Sequence, residues 1–406
     1  MLKKTKSIFI PMLISSVVTG CVTHEHISEK QQPSEITPEM AINKLFGPFP
    51  PEAQVPTGFQ RHEPVHSVNP PDPSIPTQAL SKWEKLKPGY QADVPEWPEE
   101  VGKYYIQRLT DNTWWLYSDV FAMTLYVGEK EALIIDMPEF VHMDELFENI
   151  DDILNGKPIT TLVYSHPHAD HIGKSQEFVA YQKAKGIDVR VVGSEATVRE
   201  IKRYNQPVAV PTDVLPTGRA TFEFDSKEFV YATMSDWAHT GADAYIITPD
   251  KVLHVVDIFY SNRLPLHDYS GVQNMNGWIE IMRHLAGEEN WNVANIGHVN
   301  VAHRKGLIRS LEYTKDIYDT WFKVAPKYWS RDILVHGQGY VGALLRNLFD
   351  KISYEVALEL KPKWGHLPHW SLAHDHAMKV QWELFLNYRF IDHPEIRPSF
   401  EPIKPE

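Results

Sequence analysis

Four potential metal ligands fall within one short segment, His166-Pro167-His168-Ala169-Asp170-His171. Neutral imidazoles and a carboxylate are good donors for zinc and similar divalent cations. Residues two apart in an extended chain project to the same side, so His166 and His168 can share one cation. Asp170 and His171 follow as the chain turns into a helix and can face a neighbouring cation. The chain has 20 histidines in 406 residues. Even so, this spacing arises by chance on the order of once in several hundred such chains. The competing interpretation is a His-rich surface loop, and the flanking elements argue against it.

Those elements must hold the ligands rigidly. Thr160 to Ser165, centred on Leu162, Val163 and Tyr164, predicts a buried strand leading into the cluster. Gly173 to Lys185 predicts a helix, Asp188 to Val192 a strand, and Glu195 to Tyr204 a second helix. Upstream, strand character begins near Tyr104. Trp114 to Tyr117 and Met123 to Val127 are apolar or aromatic, and Gly128-Glu129-Lys130-Glu131 turns the chain into Ala132 to Asp136, a hairpin entering a buried strand. Downstream, Phe229 to Thr233 is a strand, and Tyr245 to Thr248 pairs with Lys251 to Asp257 across Pro249-Asp250. Mixed elements of this kind predict a layered α/β body. From about Lys305 the pattern becomes helical and rich in aromatics, which predicts a C-terminal helical extension over 304–406.

His-x-His-x-Asp-His after a strand resembles the signature of the metallo-β-lactamase superfamily. The resemblance covers residues 104–303 and implies an αβ/βα sandwich. It also implies two divalent cations, zinc by preference, although such a ligand set accepts iron, manganese or cobalt as well. His239, in Ala238-His239-Thr240-Gly241, resembles the third histidine of the first metal, beside His166 and His168. His298, after Ile296-Gly297, resembles the last histidine of the second metal, beside Asp170 and His171. Asp257 resembles the bridging aspartate. Asp136 resembles an early strand-end aspartate that orients the ligands from behind. His254 lies inside the strand before Asp257 and reads as structural. His366, His369, His374 and His376 have no strand context and read as surface or cleft-lining residues.

The expected chemistry is hydrolysis, with water activated between two cations and a carbonyl polarised by them. The resemblance gives Asp170 a further role in proton transfer to the leaving group. Asp257 implies a lactonase, thioesterase or phosphoesterase branch, because the true β-lactamases of this fold generally lack a bridging aspartate. Tyr260, three residues on, resembles the tyrosine that lactonases place near the substrate carbonyl; a buried strand-end aromatic is the equal alternative. The expected substrate is therefore a small-molecule ester or lactone. β-Lactam hydrolysis, sulfur dioxygenation at a single iron, and a non-catalytic envelope binding protein are the other possibilities.

The formal charge of -13 argues against nucleic acid as a partner. A hydrophobic content of 43% supports a sizeable core. At the start of the chain, Lys3, Lys4 and Lys6 precede an apolar run from Ile8 to Val18, as in an export signal over 1–21. Val18-Thr19-Gly20-Cys21 resembles a bacterial lipobox, which implies lipidation of Cys21 and a membrane anchor facing the periplasm, on the outer membrane. Cys21 is the only cysteine, so the chain forms no internal disulfide. Residues 22–103 read as a proline-rich tether and arm: fourteen of the 30 prolines lie between Pro33 and Pro98. Phe46, Phe49, Phe59, Trp83 and Trp97 suggest that parts of the arm pack on the body.

Overall fold

Strands whose residues are buried on both faces must be covered on both sides, and that requirement organises the chain. The structure is a computed structural model that describes residues 70–95, 102–233, 238–328, 341–387 and 397–404. Cys21, the export segment, Phe46, Phe49, Phe59 and Trp97 lie outside the described residues.

The arm contributes β1 (Thr77–Gln78) and β2 (Gln91–Ala92), a short parallel pair. The first large sheet contains β3 (Tyr105–Arg108), β4 (Thr113–Ser118), β5 (Phe121–Val127), β6 (Ala132–Ile135), β7 (Ile159–Val163), β8 (Arg190–Ser194) and β9 (Asp213–Leu215), in that spatial order. It begins as an antiparallel meander and becomes parallel from β6 onward. Parallel neighbours need crossovers, and helices supply them. These are α1 (Met143–Leu154), α2 (Ala169–Ile172) with α3 (Ser175–Ala184), and α4 (Glu195–Tyr204). In α1 the buried residues Met143, Leu146, Ile150, Ile153 and Leu154 recur at helical spacing, so one stripe faces the sheet. In α4, Ser194 caps the first turn by accepting from the Thr197 amide.

The second large sheet runs β10 (Gly218–Phe224), β11 (Lys227–Thr233), β12 (Ala244–Ile247), β13 (Val252–His254), β14 (Val293–Asn295), β15 (Val301–Ala302). Between β13 and β14, which are parallel, lies α5 (Met275–Gly287), capped by the Asn274 side chain. The extension is α6 (Arg304–Val324), α7 (Val341–Trp364) and α8 (Ala373–Asn387).

Leu133, Ile135, Val163 and Val192 of the first sheet meet Phe222, Phe229, Tyr231 and Ile246 of the second in one buried cluster. Helices α1, α3 and α4 cover the outer face of the first sheet. Helices α5 to α8 cover the second. The layers are therefore αβ/βα, as expected, with the helical extension joined to the second outer layer.

Several boundaries differ from expectation. β13 ends at His254 because the chain then bends into the site, with Asp257 at φ 61°. β8 starts at Arg190 and runs to Ser194, in register with Thr161 on one side and Leu215 on the other. In the arm, Leu86 and Ala92 join a buried cluster with Trp115, Tyr117 and Val301. Asp72 is ion-paired with Arg309 of α6. Trp83, expected to pack, is instead 57% exposed.

Candidate metal centre

The potential ligands and Asp136 stand just beyond the carboxyl ends of strands, on loops or, for Asp170 and His171, on the short helix α2. Asp136 follows β6, His166 to His171 follow β7, Asp257 follows β13, and His298 follows β14. β6 and β7 are parallel neighbours, and so are β13 and β14, so each pair of loops leaves its sheet at the same edge. His239 lies between β11 and β12. The sandwich thus collects side chains more than 130 positions apart in sequence at one edge.

Backbone details aim them. Asp136 and Asp257 both adopt left-handed backbone, φ 65° and 61°. That conformation is uncommon outside glycine but tolerated by aspartate, and residues held in it cluster at functional sites. Gly297 has φ +82°, and a Cβ there would lie 2.3 Å from Val256 Cγ1. Only glycine lets the chain pass Val256 and still present His298. Gln206 donates from Nε2 to the Pro167 carbonyl at 2.6 Å and pins the loop that carries His166 and His168.

The ligand atoms of His166, His168 and His239 all lie within 4.8 Å of one another, as do those of Asp170, His171 and His298. Asp257 touches both groups. Its Oδ2 is 3.3 Å from Nε2 of His171 and 3.3 Å from Nε2 of His239, and its Oδ1 is 3.1 Å from Nε2 of His298. All seven predicted ligands therefore converge, with Asp257 between two sets of three. Asp170 is the most open of them, its side chain 41% exposed.

The electrostatics suit cations. Nε2 of His166 and both ring nitrogens of His171 and of His239 are buried with no hydrogen-bond partner. Buried polar atoms are rarely left unsatisfied, so such an array calls for a further partner, and the Nε2 atoms of His166, His171 and His239, which all face Asp257, suit a cation. Elsewhere the non-ligating nitrogen is occupied: Nδ1 of His298 donates to the Val120 carbonyl at 2.8 Å, leaving Nε2 free to coordinate. Burial, reinforced by His168, His171 and His239, pushes the His166 imidazole well below the ordinary value. Burial and His239 push His168 down to about 4. Both are thus neutral at pH 7, the form that binds metal. Burial works against ionisation of Asp257, but His298 and His239 outweigh it and hold its carboxyl well below the usual range. Burial also works against protonation of His239 and His298, and the Asp257 carboxylate overrides it, raising both.

Tyr260 is fully buried. Its Oη lies 3.5 Å from Asp257 Oδ1 and makes a short hydrogen bond with Ser270 Oγ. Burial, then the charge of Asp257, raises the phenol well above its ordinary value, so it keeps its proton. Asp136 stands behind the cluster and accepts from the amide of Ser165 at 2.8 Å and its hydroxyl at 2.6 Å.

Sequence reasoning missed Ser165 and Ser270, whose partners are distant in the chain. It also missed Phe121, whose ring lies 5.5 Å from that of His171 and 5.1 Å from that of His298. His376 was expected at the surface or a cleft. It is instead fully buried: Nδ1 bonds the Tyr313 hydroxyl at 2.9 Å, and Nε2 bonds the Leu266 carbonyl at 3.0 Å. Its context is helical packing, which composition does not reveal. Among the described residues, no metal-binding group forms around it.

A family model described as the metallo-beta-lactamase superfamily matches residues 122–285. Among solved structures, the chain is similar to a metallo-beta-lactamase from Pontibacter korlensis at 19% identity and TM-score 0.43, covering 52% of this chain and 98% of that one. It is similar at the same identity and coverage to metallo-beta-lactamase IND-7, with TM-score 0.44. No curated protein matches the chain. The family match spans the strands, the His-rich loop and the Asp257 loop that build the centre, and it ends before His298.

Proposed function

We propose that this protein is a dinuclear metal-dependent hydrolase acting on an ester or lactone. In this reading His166, His168 and His239 hold one divalent cation, and Asp170, His171 and His298 hold the second. Asp257 joins the two, and zinc is the preferred metal. The observation that carries the reading is the position of Asp257, within 3.3 Å of histidines from both sets. The superfamily consists mostly of metal-dependent hydrolases, which supports the reaction class.

When bound, such cations lower the pKa of water and polarise a carbonyl. The chain's own residues do the rest. Asp257 brings a full negative charge between the two sets and keeps the imidazoles oriented. Asp170, the half-exposed member, reaches the open side and can take a proton or pass it to the leaving oxygen. Tyr260 retains its proton and offers a hydrogen bond where negative charge develops on the carbonyl oxygen. Ser270 holds that phenol from the other side. Phe121 lies against His171 and His298 and limits the water that reaches them.

Metal analysis of the purified protein, followed by assay against lactones, esters, phosphoesters and β-lactams, tests the proposal. Two cations per chain and fastest turnover on a lactone or ester are expected. A single iron with sulfur-oxidising activity, or β-lactam turnover far above any ester, would overturn it.

For the address, we propose export and lipid anchoring through Cys21, with the domain facing the periplasm. The support is the order of Lys3 to Lys6, the apolar run and Val18-Thr19-Gly20-Cys21. Among the described residues, no helix is long and apolar enough to cross a membrane.

A further inference from the structure

His254 is buried within the sandwich, its ring nitrogens face Thr124, Asn295 and Asp136, and the chemistry above does not use it. Its ring nevertheless occupies the middle of a continuous hydrogen-bonded chain. The Gly297 amide donates to Asn295 Oδ1 at 3.0 Å, which orients the Asn295 amide. Asn295 Nδ2 then donates to Thr124 Oγ1 at 2.9 Å. The Thr124 hydroxyl lies 2.9 Å from His254 Nδ1, and Asn295 Nδ2 lies 3.3 Å from the same nitrogen. A nitrogen facing an amide donor and a hydroxyl must be an acceptor, so the proton of His254 sits on Nε2. From there it donates to Asp136 Oδ2 at 3.0 Å.

The chain continues without ambiguity. Ser165 Oγ also donates to Asp136 Oδ2, at 2.6 Å. Having spent its only proton, Ser165 Oγ must accept from His166 Nδ1, 2.9 Å away. That leaves the lone pair of His166 on Nε2, the atom buried with no other partner. Asn295, Thr124, His254, Asp136, Ser165 and His166 are all essentially inaccessible to solvent. Water therefore does not supply a substitute donor, and the order of protons is set by protein groups alone.

We propose that His254 is a positioning residue for the metal centre: through Asp136 and Ser165 it holds His166 in the tautomer that directs Nε2 at the cation. The chain starts at Gly297, next to His298, so one network orders a ligand loop of each proposed metal set. The inference rests on the reading that His166 is a cation ligand. It goes beyond that reading by assigning a role to His254, Thr124 and Asn295, none of which is a proposed ligand.

The test is zinc affinity by chelator competition on the full chain, with thermal melting as a check on folding and the Co2+ absorption spectrum as a check on ligand geometry. His254→Phe keeps ring volume and removes both nitrogens. His254→Asn can still meet Thr124 but falls short of Asp136. His254→Gln places an amide donor where Nε2 stood. Losing an outer partner of a metal-binding histidine costs about 10–100-fold in affinity. His254→Phe and His254→Asn should therefore bind the first zinc at least about tenfold more weakly, with an altered Co2+ spectrum. His254→Gln should recover to within about threefold of wild type. If His254→Phe does not fold, Asn295→Leu reports instead, because it removes the amide donor that fixes Nδ1 as the acceptor and so frees the tautomer of His254 without touching Asp136; about a threefold loss or more is expected. Wild-type zinc affinity in folded His254→Phe, or equal losses in the Gln and Asn variants, overturns the proposal. A wild-type protein that binds no zinc, cobalt or iron fails the functional reading itself, which is a distinguishable result.

Discussion

Nε2 of His298 stands 3.1 Å from Oδ1 of Asp257, although the two residues follow different strands of the second sheet. The other oxygen of the same carboxylate meets His171 from the first sheet and His239 from the second. One carboxylate thus gathers histidines from three loops, and its removal should leave them without a common partner.

Wild-type protein should carry two divalent cations per chain. Asp257→Ala should retain one or fewer, because the remaining ligands face two cations with no negative charge between them. Turnover should fall by at least about a hundredfold. Elemental analysis of folded protein, beside a rate assay, checks both. Full double loading of the variant would exclude a bridging role.

Tyr260→Phe removes one hydroxyl from a fully buried ring and leaves its packing intact. Loss of a single oxyanion donor costs about 10²–10³ in a hydrolase that relies on it. Here the cations would carry most of the charge, so a loss of roughly tenfold is expected, in kcat and with metal content unchanged. Unchanged turnover on the best substrate would reduce Tyr260 to a packing residue. Ser270→Ala should lower kcat in the same direction by a smaller factor.

His376 links the extension to the segment that carries Ser270. Burial pushes its imidazole down to about 4, against an unfolded value of 6.5. Between those values the unfolded chain binds a proton that the folded chain refuses, so stability falls as pH drops below 6.5 and levels off near 4. From pH 7 to pH 5 the loss is on the order of 2 kcal/mol. Unfolding midpoints of wild type and His376→Gln across this range should show a shallower acid decline in the variant. Parallel curves would contradict the assignment.

Cys21→Ala should move the protein from the membrane to the soluble fraction, or leave it unprocessed. Fractionation with mass measurement of the N-terminus distinguishes these. A processed Cys21→Ala protein that stays in the membrane would refute the lipid anchor.

The local sequence determined the first candidate metal ligands and the strands that lead to them. His166, His168, Asp170 and His171 are legible because they share one loop, and extended-chain periodicity puts the first two on one side. The fold class was legible from apolar runs bounded by turns. His239, Asp257 and His298 were reachable only through the family resemblance, since nothing in their immediate neighbours requires a metal. Tertiary structure decided the rest. It made Asp257 common to both sets, since the distance between strand ends depends on sheet order and not on chain spacing. It also separated His254 from His376: the first joins a polar chain behind the ligands, the second a helical core. A histidine's type states which atoms can bond; its partners exist only once distant segments pack, and burial then makes each hydrogen bond obligatory.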